Sequence, residues 1–276
     1  MTKRLVAISM AFALAGSAFM GCASTDEDVS APTPGTASFL EGVEATLVRP
    51  AEAPGELPLV VLVPSGGWST ARVETLSDLA DDLAARGAAV VTMTYRTSDV
   101  GEYFPVPVED VACGLAYGVQ AVAALDVSEI VLGGHSAGAT MAALVALAPQ
   151  DFAGSECPYE PVAPDALIAI AGPYDITKSP QPPWHRFFGG PEERDPETWT
   201  EGNPMAYADR RPDLPALLIH GTADYTVPIS HTEDFSAALY EGGHEVATDY
   251  SEGATHLTVI GADVAGPAIA DWLGLP

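Results

Sequence analysis

The feature that most constrains this chain is a five-residue turn, Gly134–Gly138 (GHSAG), set between two regular segments. An apolar run, Ile130–Leu132, leads into the turn, and good helix formers, Thr140–Leu147, follow it. The turn fits the pattern G-x-S-x-G, in which glycines permit a sharp bend from strand to helix and a close approach of other backbone. The sequence therefore predicts a bend that projects the hydroxyl of Ser136 away from the backbone.

Apolar segments alternate along the chain with segments of helical periodicity. The predicted strands are Val43–Val48, Pro58–Val63, Ala88–Tyr95, Ile130–Leu132, Ala166–Ala171, Ala216–His220 and Glu245–Tyr250. The predicted helices are Arg72–Arg86, Val108–Leu125, Ala137–Leu147, Thr232–Tyr240 and Ala262–Leu273. This alternation predicts an α/β fold, with a mostly parallel central sheet and helices on both faces, in one domain over residues 43–276.

The charge of the chain excludes one class of partner. Lysine and arginine total 11 against 38 aspartate and glutamate residues, which gives a formal net charge of −27. Such a surface repels phosphate backbones, so we expect no nucleic-acid binding.

The N-terminus has the form of an export signal. Lys3 and Arg4 precede a short apolar run, Leu5–Met20. A charged segment followed by a short apolar one predicts a secretory signal peptide over residues 1–21 rather than a membrane-spanning helix. We therefore expect the chain to be exported.

The residues that end this signal predict an anchored protein. The stretch Phe19–Cys22 resembles a bacterial lipobox, in which the cysteine is acylated and becomes the new N-terminus, although Phe19 and Met20 depart from the usual leucine and small residue. Cys22 is thus predicted to be lipidated, the only membrane attachment that we expect. Residues 22–42, rich in Ser, Thr, Pro and acids, are predicted to be a flexible tether. The alternative is cleavage after Ala23, which would leave a soluble secreted or periplasmic protein.

Two further cysteines, Cys113 and Cys157, belong to the predicted domain. Export allows disulfides to form, which favours a bridge between the two. The alternative is two separate buried thiols.

Side chains of the right chemistry follow two later strands. A serine hydroxyl is a poor nucleophile unless a base takes its proton and a third group orients that base. In this architecture the order along the chain is serine, acid, histidine, each at the carboxyl end of a strand. Asp224 follows the strand Ala216–His220 and His256 follows Glu245–Tyr250, so the order is as required.

Other side chains compete for these roles. Asp175 also ends a strand and is the second candidate for the acid, and Asp224 is also a natural turn residue. His244 precedes a strand and is expected to be solvated. His135 and His220 are expected to be structural. No pair of histidines has the spacing of a known metal motif, so we predict no metal and no cofactor.

At this point the chain resembles the α/β-hydrolases of the esterase and lipase superfamily, in the branch of small carboxylesterases and arylformamidases. The turn Gly134–Gly138 resembles their nucleophile elbow, and His220–Pro228 resembles their H-G-x-x-D-x-x-V-P segment. Gly253–His256 resembles their histidine loop. The resemblance implies that Ser136 is the nucleophile, His256 the base and acid, and Asp224 the orienting carboxylate.

The resemblance also suggests an oxyanion hole. The turn Ser65–Trp68 (SGGW) resembles the H-G-G-x-W turn of these branches, with Ser65 where they have histidine. The backbone N–H groups of Gly67, Trp68 and Ala137 are the expected donors. The serine at position 65 is expected to change how the loop is braced.

A cap is expected over the nucleophile, in the insert at about residues 172–215. Trp184, Phe187 and Phe188 are its candidate pocket residues, unless these aromatics only pack the cap onto the sheet. The expected function is that of a serine hydrolase that cleaves small carboxylic esters, with short or medium acyl or aromatic groups, through an acyl-enzyme. The alternatives are an arylformamidase, amidase or peptidase on the same fold, or a binding lipoprotein without catalysis.

Overall fold

A computed structural model describes residues 34–49, 55–178 and 182–276, and in this part of the chain eight strands form one sheet. The strands are β1 (Gly35–Leu40), β2 (Val43–Val48), β3 (Leu57–Val63), β4 (Ala89–Met93), β5 (Val127–His135), β6 (Ala166–Ile170), β7 (Ala216–Gly221) and β8 (Val246–Ser251). Their order across the sheet is β1-β2-β4-β3-β5-β6-β7-β8. The pairs β1–β2 and β2–β4 are antiparallel, and every other pair is parallel.

Helices cover both faces of this sheet. Those on the sheet are α1 (Ser77–Ala85), α2 (Val106–Ala121), α3 (Ala137–Leu147), α6 (Ser230–Glu241) and α7 (Ala265–Trp272), and the insert between β6 and β7 adds α4 (Pro182–Phe188) and α5 (Pro196–Glu201). Strand β3 shows why both faces are covered, because Val61 and Val63 join the apolar cluster under α2, α3 and α6, whereas Val60 and Leu62 join the one under α1 and α7. A parallel strand that is buried on both faces must be apolar throughout, as β3, β4 and β6 are. The predicted fold class is confirmed.

The prediction of a flexible tether over residues 22–42 is wrong at its C-terminal end. Residues Gly35–Leu40 form β1, which pairs with β2 through Thr36 opposite Thr46 and Ser38 opposite Glu44. The ordered fold therefore starts before residue 43. The sequence conceals this strand because it lies at the edge of the sheet, where only Phe39 is buried and the first four residues, Gly35–Ser38, are small or polar and exposed. The predicted signal peptide and Cys22 lie outside the described residues.

The insert between β6 and β7 contains helices that the sequence did not predict. It contains α4, α5 and short 3₁₀ turns, which are too brief to show a helical period in the sequence. Elsewhere the predicted elements exist, with ends displaced by a few residues. None of the helices that the structure describes has both the length and the apolar character that crossing a bilayer requires.

Cys113, in α2, and Cys157, in the loop after α3, are joined by a disulfide. The two residues are 44 positions apart in the sequence, and their Cα atoms lie 5.4 Å apart. The bridge ties the loop that follows α3 to the helix packed beside it.

Replacement of both cysteines by alanine should destabilise the fold. Closing a loop of this length restricts the unfolded chain, which corresponds to about 4 kcal/mol in the free energy of unfolding. We expect the Cys113→Ala/Cys157→Ala variant to unfold at lower urea concentration than the oxidised protein. Reductant should lower the midpoint of the wild type and leave that of the double variant unchanged. A wild-type midpoint that does not respond to reductant would contradict the bridge.

Candidate active site

The nucleophile elbow is a strained junction between β5 and α3. Strand β5 ends at His135, α3 begins at Ala137, and Ser136 between them has φ 55° and ψ −121°. A positive φ at a residue with a side chain costs about 1–3 kcal/mol and persists only where the surroundings impose it. Here the amide of Ser136 donates to the carbonyl of Ile170 at 2.9 Å, which ties the bend to the neighbouring strand β6.

Both glycines of the elbow are required by close backbone contacts. A Cβ at Gly134 would lie 2.4 Å from the carbonyl oxygen of Gly138. A Cβ at Gly138 would lie 2.3 Å from the carbonyl oxygen of Val63 and 2.6 Å from that of Pro64. The first turn of α3 therefore lies directly against the end of β3, a contact that only glycine allows.

The structure brings the three predicted residues Ser136, His256 and Asp224 together in one hydrogen-bonded chain. Nε2 of His256 lies 2.9 Å from Oγ of Ser136, and its Nδ1 lies 2.6 Å from Oδ2 of Asp224. An ionised carboxylate only accepts hydrogen bonds, so Nδ1 carries the proton in this arrangement. Nε2 is then free to accept the proton of the serine hydroxyl.

Asp224 is held in its ionised form. Its Oδ1 accepts hydrogen bonds from the amides of Thr226 and Val227 at 2.8 and 2.9 Å, and Nε2 of His220 lies 3.4 Å from Oδ2. Burial alone would raise the pKa of this carboxyl. The hydrogen bonds from His220, His256 and Val227 outweigh that effect and hold the pKa of Asp224 well below its ordinary value.

The competing side chains lie elsewhere. Oδ1 of Asp175 accepts hydrogen bonds from the amide and hydroxyl of Thr177 at 2.9 and 2.6 Å, which closes a local turn. The expectation that His244 is solvated is wrong. That residue is buried, and its Nδ1 lies 2.9 Å from the carbonyl oxygen of Leu214, because the turn before β8 packs against the segment that enters β7.

A fully buried histidine supports the loop that carries His256. Nε2 of His135 lies 2.8 Å from the backbone carbonyl of His256, and the two rings are 4.8 Å apart. Burial, with a smaller effect from His256, lowers the pKa of His135 to about 3. The ring is therefore neutral and donates from Nε2. His220 has a comparable role below Asp224, with Nδ1 2.7 Å from the hydroxyl of Thr232.

The glycine-rich turn after β3 has an unusual backbone. Gly66 has φ 152°, and a Cβ there would lie 1.7 Å from the carbonyl oxygen of Thr70. Gly67 and Trp68 have φ 56° and 59°. The hydroxyl of the buried Tyr95 lies 3.3 Å from the carbonyl oxygen of Pro64 and 3.2 Å from that of Thr70, and donates to one of them at a time. Tyr95 therefore braces this loop, together with the hydrogen bond from the amide of Arg72 to the carbonyl of Ser65 at 3.2 Å.

The backbone donors predicted for an oxyanion hole are available. Gly67 and Trp68 line the same cavity as Ser136, and their N–H groups donate to no acceptor among the described residues. Ala137 is the first residue of α3, where backbone N–H groups have no partner within the helix. The helix dipole adds positive potential at this end.

The cavity beside Ser136 has a volume of about 360 Å³ and is mostly apolar. Trp184 lines it, as predicted, but Phe187 and Phe188 do not. Phe187 is fully buried and packs 5.1 Å from the ring of Trp68, and Phe188 stacks on Trp199 at 4.5 Å. These two rings pack the cap onto the sheet instead of facing a substrate.

The sequence analysis did not predict the other residues that line this cavity. The missed residues are Pro173, Pro183, Arg186, Thr226, Val227, Pro228 and His231. Those at 226–228 belong to the segment His220–Pro228 that contains Asp224, so the resemblance of that segment could have indicated them. Arg186 had no such signal. Among the described residues, no three His, Cys, Asp or Glu side chains are grouped in a way that would hold a metal ion.

The fold and this serine–histidine–carboxylate geometry define the class as the α/β-hydrolases. Residues 46–239 match the profile of the BD-FAE family, and the chain belongs to that family.

Relatives and solved structures agree with this class. The chain is 28% identical over 218 residues to a probable isoprenylcysteine alpha-carbonyl methylesterase of Oryza sativa, covering 73% of this chain and 52% of the relative. It is 28% identical over 247 residues to the esterase LipQ of Mycobacterium tuberculosis, covering 82% and 58%. The chain thus spans about half the length of these curated relatives.

Two solved structures share the fold. One is an esterase from Thermogutta terrifontis with propionate bound, with TM-score 0.69 and 20% identity over 90% of this chain and 92% of that one. The other is a truncated carbohydrate esterase from gut microbiota, with TM-score 0.73 and 18% identity over 88% and 94%.

The neutral, buried state of His135 predicts a pH-dependent stability. Between pH 6.5 and about 3 the unfolded chain binds a proton at this residue that the folded chain excludes, so the free energy of unfolding falls as the pH falls. His135→Gln keeps a donor for the carbonyl of His256 but does not titrate. We expect it to reduce the slope of unfolding free energy against pH by up to about 1.4 kcal/mol per pH unit in this window.

Urea titrations from pH 6.5 down to 4.5 measure this slope. His185→Gln, at an exposed position in the cap, is the matched control and should keep the wild-type slope. A His135→Gln slope equal to that of the wild type would contradict the prediction.

Proposed function

We propose that this chain is a serine hydrolase that cleaves carboxylic esters through an acyl-enzyme intermediate. The observation that supports this most strongly is the pair of hydrogen bonds that joins the triad, with Ser136 Oγ 2.9 Å from His256 Nε2 and His256 Nδ1 2.6 Å from Asp224 Oδ2. Ser136 lines a cavity that Gly67 and Trp68 also line. A nucleophile, its base, an orienting carboxylate and backbone donors are the parts that acyl transfer requires.

Acylation begins when Nε2 of His256 takes the proton of Ser136 as Oγ attacks the ester carbonyl. Negative charge then develops on the carbonyl oxygen. The N–H groups of Gly67, Trp68 and Ala137 stabilise it, and the loss of one such donor typically lowers kcat by about 10²–10³-fold. The two glycine-loop residues line the cavity and their N–H groups have no acceptor among the described residues, which supports this role.

The tetrahedral intermediate collapses when His256 donates its proton to the alcohol oxygen. The ionised Asp224 stabilises the imidazolium that exists before this transfer. Water then takes the place of the alcohol, and His256 takes a proton from it as the water oxygen attacks the acyl carbon. The second tetrahedral intermediate collapses by breaking the bond to Oγ of Ser136, His256 returns the proton to Oγ, and the acyl group leaves as the acid.

The cavity supports small esters as substrates. Its volume of about 360 Å³ is at the lower end of the range for ligand pockets, and its walls are largely apolar. This size suits a short or medium acyl chain or a single aromatic ring. The relatives described above carry the names of esterases, which supports ester substrates for this chain rather than amides.

Removal of the nucleophile should abolish the activity. We expect Ser136→Ala to lower kcat on p-nitrophenyl acetate by about 10⁴-fold or more, because the acyl-enzyme no longer forms. A fluorophosphonate probe should label the wild type and leave this variant unlabelled.

Ser236→Ala, which changes a hydroxyl on the exposed side of α6, is the matched control and should keep both activity and labelling. Undiminished hydrolysis by Ser136→Ala would refute the proposal. So would labelling of the wild type at a different residue.

We further propose that the protein is exported and attached to the cell envelope through lipidated Cys22. The lipobox-like residues 19–22 support this, and they lie outside the described residues. Cys22→Ala should move the protein from the detergent phase to the aqueous phase in a phase-partition assay of expressing cells. Ser24→Ala is the control and should stay with the detergent. A Cys22→Ala protein that partitions like the wild type would show that no lipid is attached there.

A further inference from the structure

One cation lies in the wall of the proposed active site. Helix α4 lines the cavity with Pro183, Trp184 and Arg186, and its Trp184 and Phe187 are both buried. The buried pair packs 4.7 and 5.1 Å from the ring of Trp68, which fixes α4 against the oxyanion turn. A Cβ built on Gly67 would lie 4.0 Å from Nη1 of Arg186, so the guanidinium stands beside that turn.

Arg186 makes no hydrogen bond or ion pair with any of the described residues. By contrast, Arg96 binds Asp110 at 2.7 Å and Arg86 binds Asp82 at 2.8 Å. The lack of a partner is notable because the chain has 38 acidic residues and only 11 lysines and arginines. The five donors of this guanidinium thus have no hydrogen-bond acceptor among the residues that the structure describes.

The rest of the cavity wall leaves this charge uncompensated. The wall contains no aspartate or glutamate among the described residues. Its other titratable group is His231, and burial followed by repulsion from Lys178 lowers the pKa of that ring, which keeps it neutral. Arg186 is therefore the charged side chain of an otherwise largely apolar wall, in a chain of net charge −27.

We propose that Arg186 binds a carboxylate of the substrate, so that the preferred esters carry a negative charge close to the ester bond. A guanidinium matches a carboxylate in shape and binds it through two parallel hydrogen bonds. Arg186 is exposed, so solvent screens its charge and the two-point geometry is what selects a carboxylate. The inference rests on the proposed ester hydrolysis.

Two matched pairs of esters test this, each pair with the charge on a different side of the bond. Monoethyl succinate and ethyl succinamate differ by a carboxylate or an amide on the acyl side. The corresponding pair on the alcohol side is 4-acetoxybenzoate and 4-acetoxybenzamide. The quantity measured is the ratio of kcat/KM for the anionic ester to that for its neutral partner, because intrinsic reactivity cancels when variants are compared.

We expect Arg186→Gln to lower this ratio about tenfold in at least one pair, mainly through KM, which also identifies the side of the ester that carries the charge. Arg186→Lys should keep part of the preference, since it retains the charge but loses the two-point geometry. Arg194→Gln removes the same charge from an exposed position in the cap that does not line the cavity, and should leave the ratio unchanged. Added salt should weaken the preference of the wild type.

Two results would overturn the inference. One is an unchanged ratio in both pairs for Arg186→Gln with the wild-type melting temperature. The other is an equal loss on anionic and neutral esters, which would assign Arg186 to the reacting carbonyl or to the support of the cap. Failure of the proposed function gives a different result, since the wild type would then hydrolyse none of the four esters and would not react with the fluorophosphonate probe.

Discussion

The contact between the first turn of α3 and the end of β3 is the constraint on which the site depends. Carbonyl oxygens of Val63 and Pro64 would lie 2.3 and 2.6 Å from any Cβ at Gly138, so the helix starts against the strand. That contact, with the hydrogen bond from Ser136 to Ile170, holds the serine at φ 55°. It also places the turn after β3, which contains Gly67 and Trp68, beside Ser136. Strain at the nucleophile is thus balanced by packing of the sheet.

A buried polar network below the site gives His256 its position. Asp224 holds one side of the imidazole, two backbone amides and His220 hold Asp224, and His135 holds the backbone of His256 from beneath. In a low-dielectric interior each of these bonds is strong, and each would be costly to leave unmade. The network keeps the carboxylate of Asp224 ionised and the buried ring of His135 neutral. The imidazole that faces Ser136 is then the group whose proton can move.

Much of the fold and of the site was predictable because it depends on local pattern and chain order. The strands that lie inside the sheet are continuous apolar runs, and the triad follows the order of strand ends along the chain. Prediction failed where no local pattern shows which side chains are buried. Strand β1 is an edge strand with one buried side chain, Phe39, and its serines and threonines look like those of a linker. His244 looks like a surface residue until the turn before β8 packs it against Leu214.

The sequence by itself determined the elbow, the glycines that permit it, and the three residues that meet there, because each of these features follows from backbone geometry or from strand order. Only the tertiary structure decided what surrounds them. Trp184, Phe187 and Phe188 are alike in the sequence. Packing against Trp68 and Trp199 leaves Trp184 facing the cavity and turns the two phenylalanines into the cap. The same packing brings Arg186 beside Gly67, about 120 residues away along the chain. Contacts of that separation depend on how the cap docks on the sheet, and no local pattern encodes that docking.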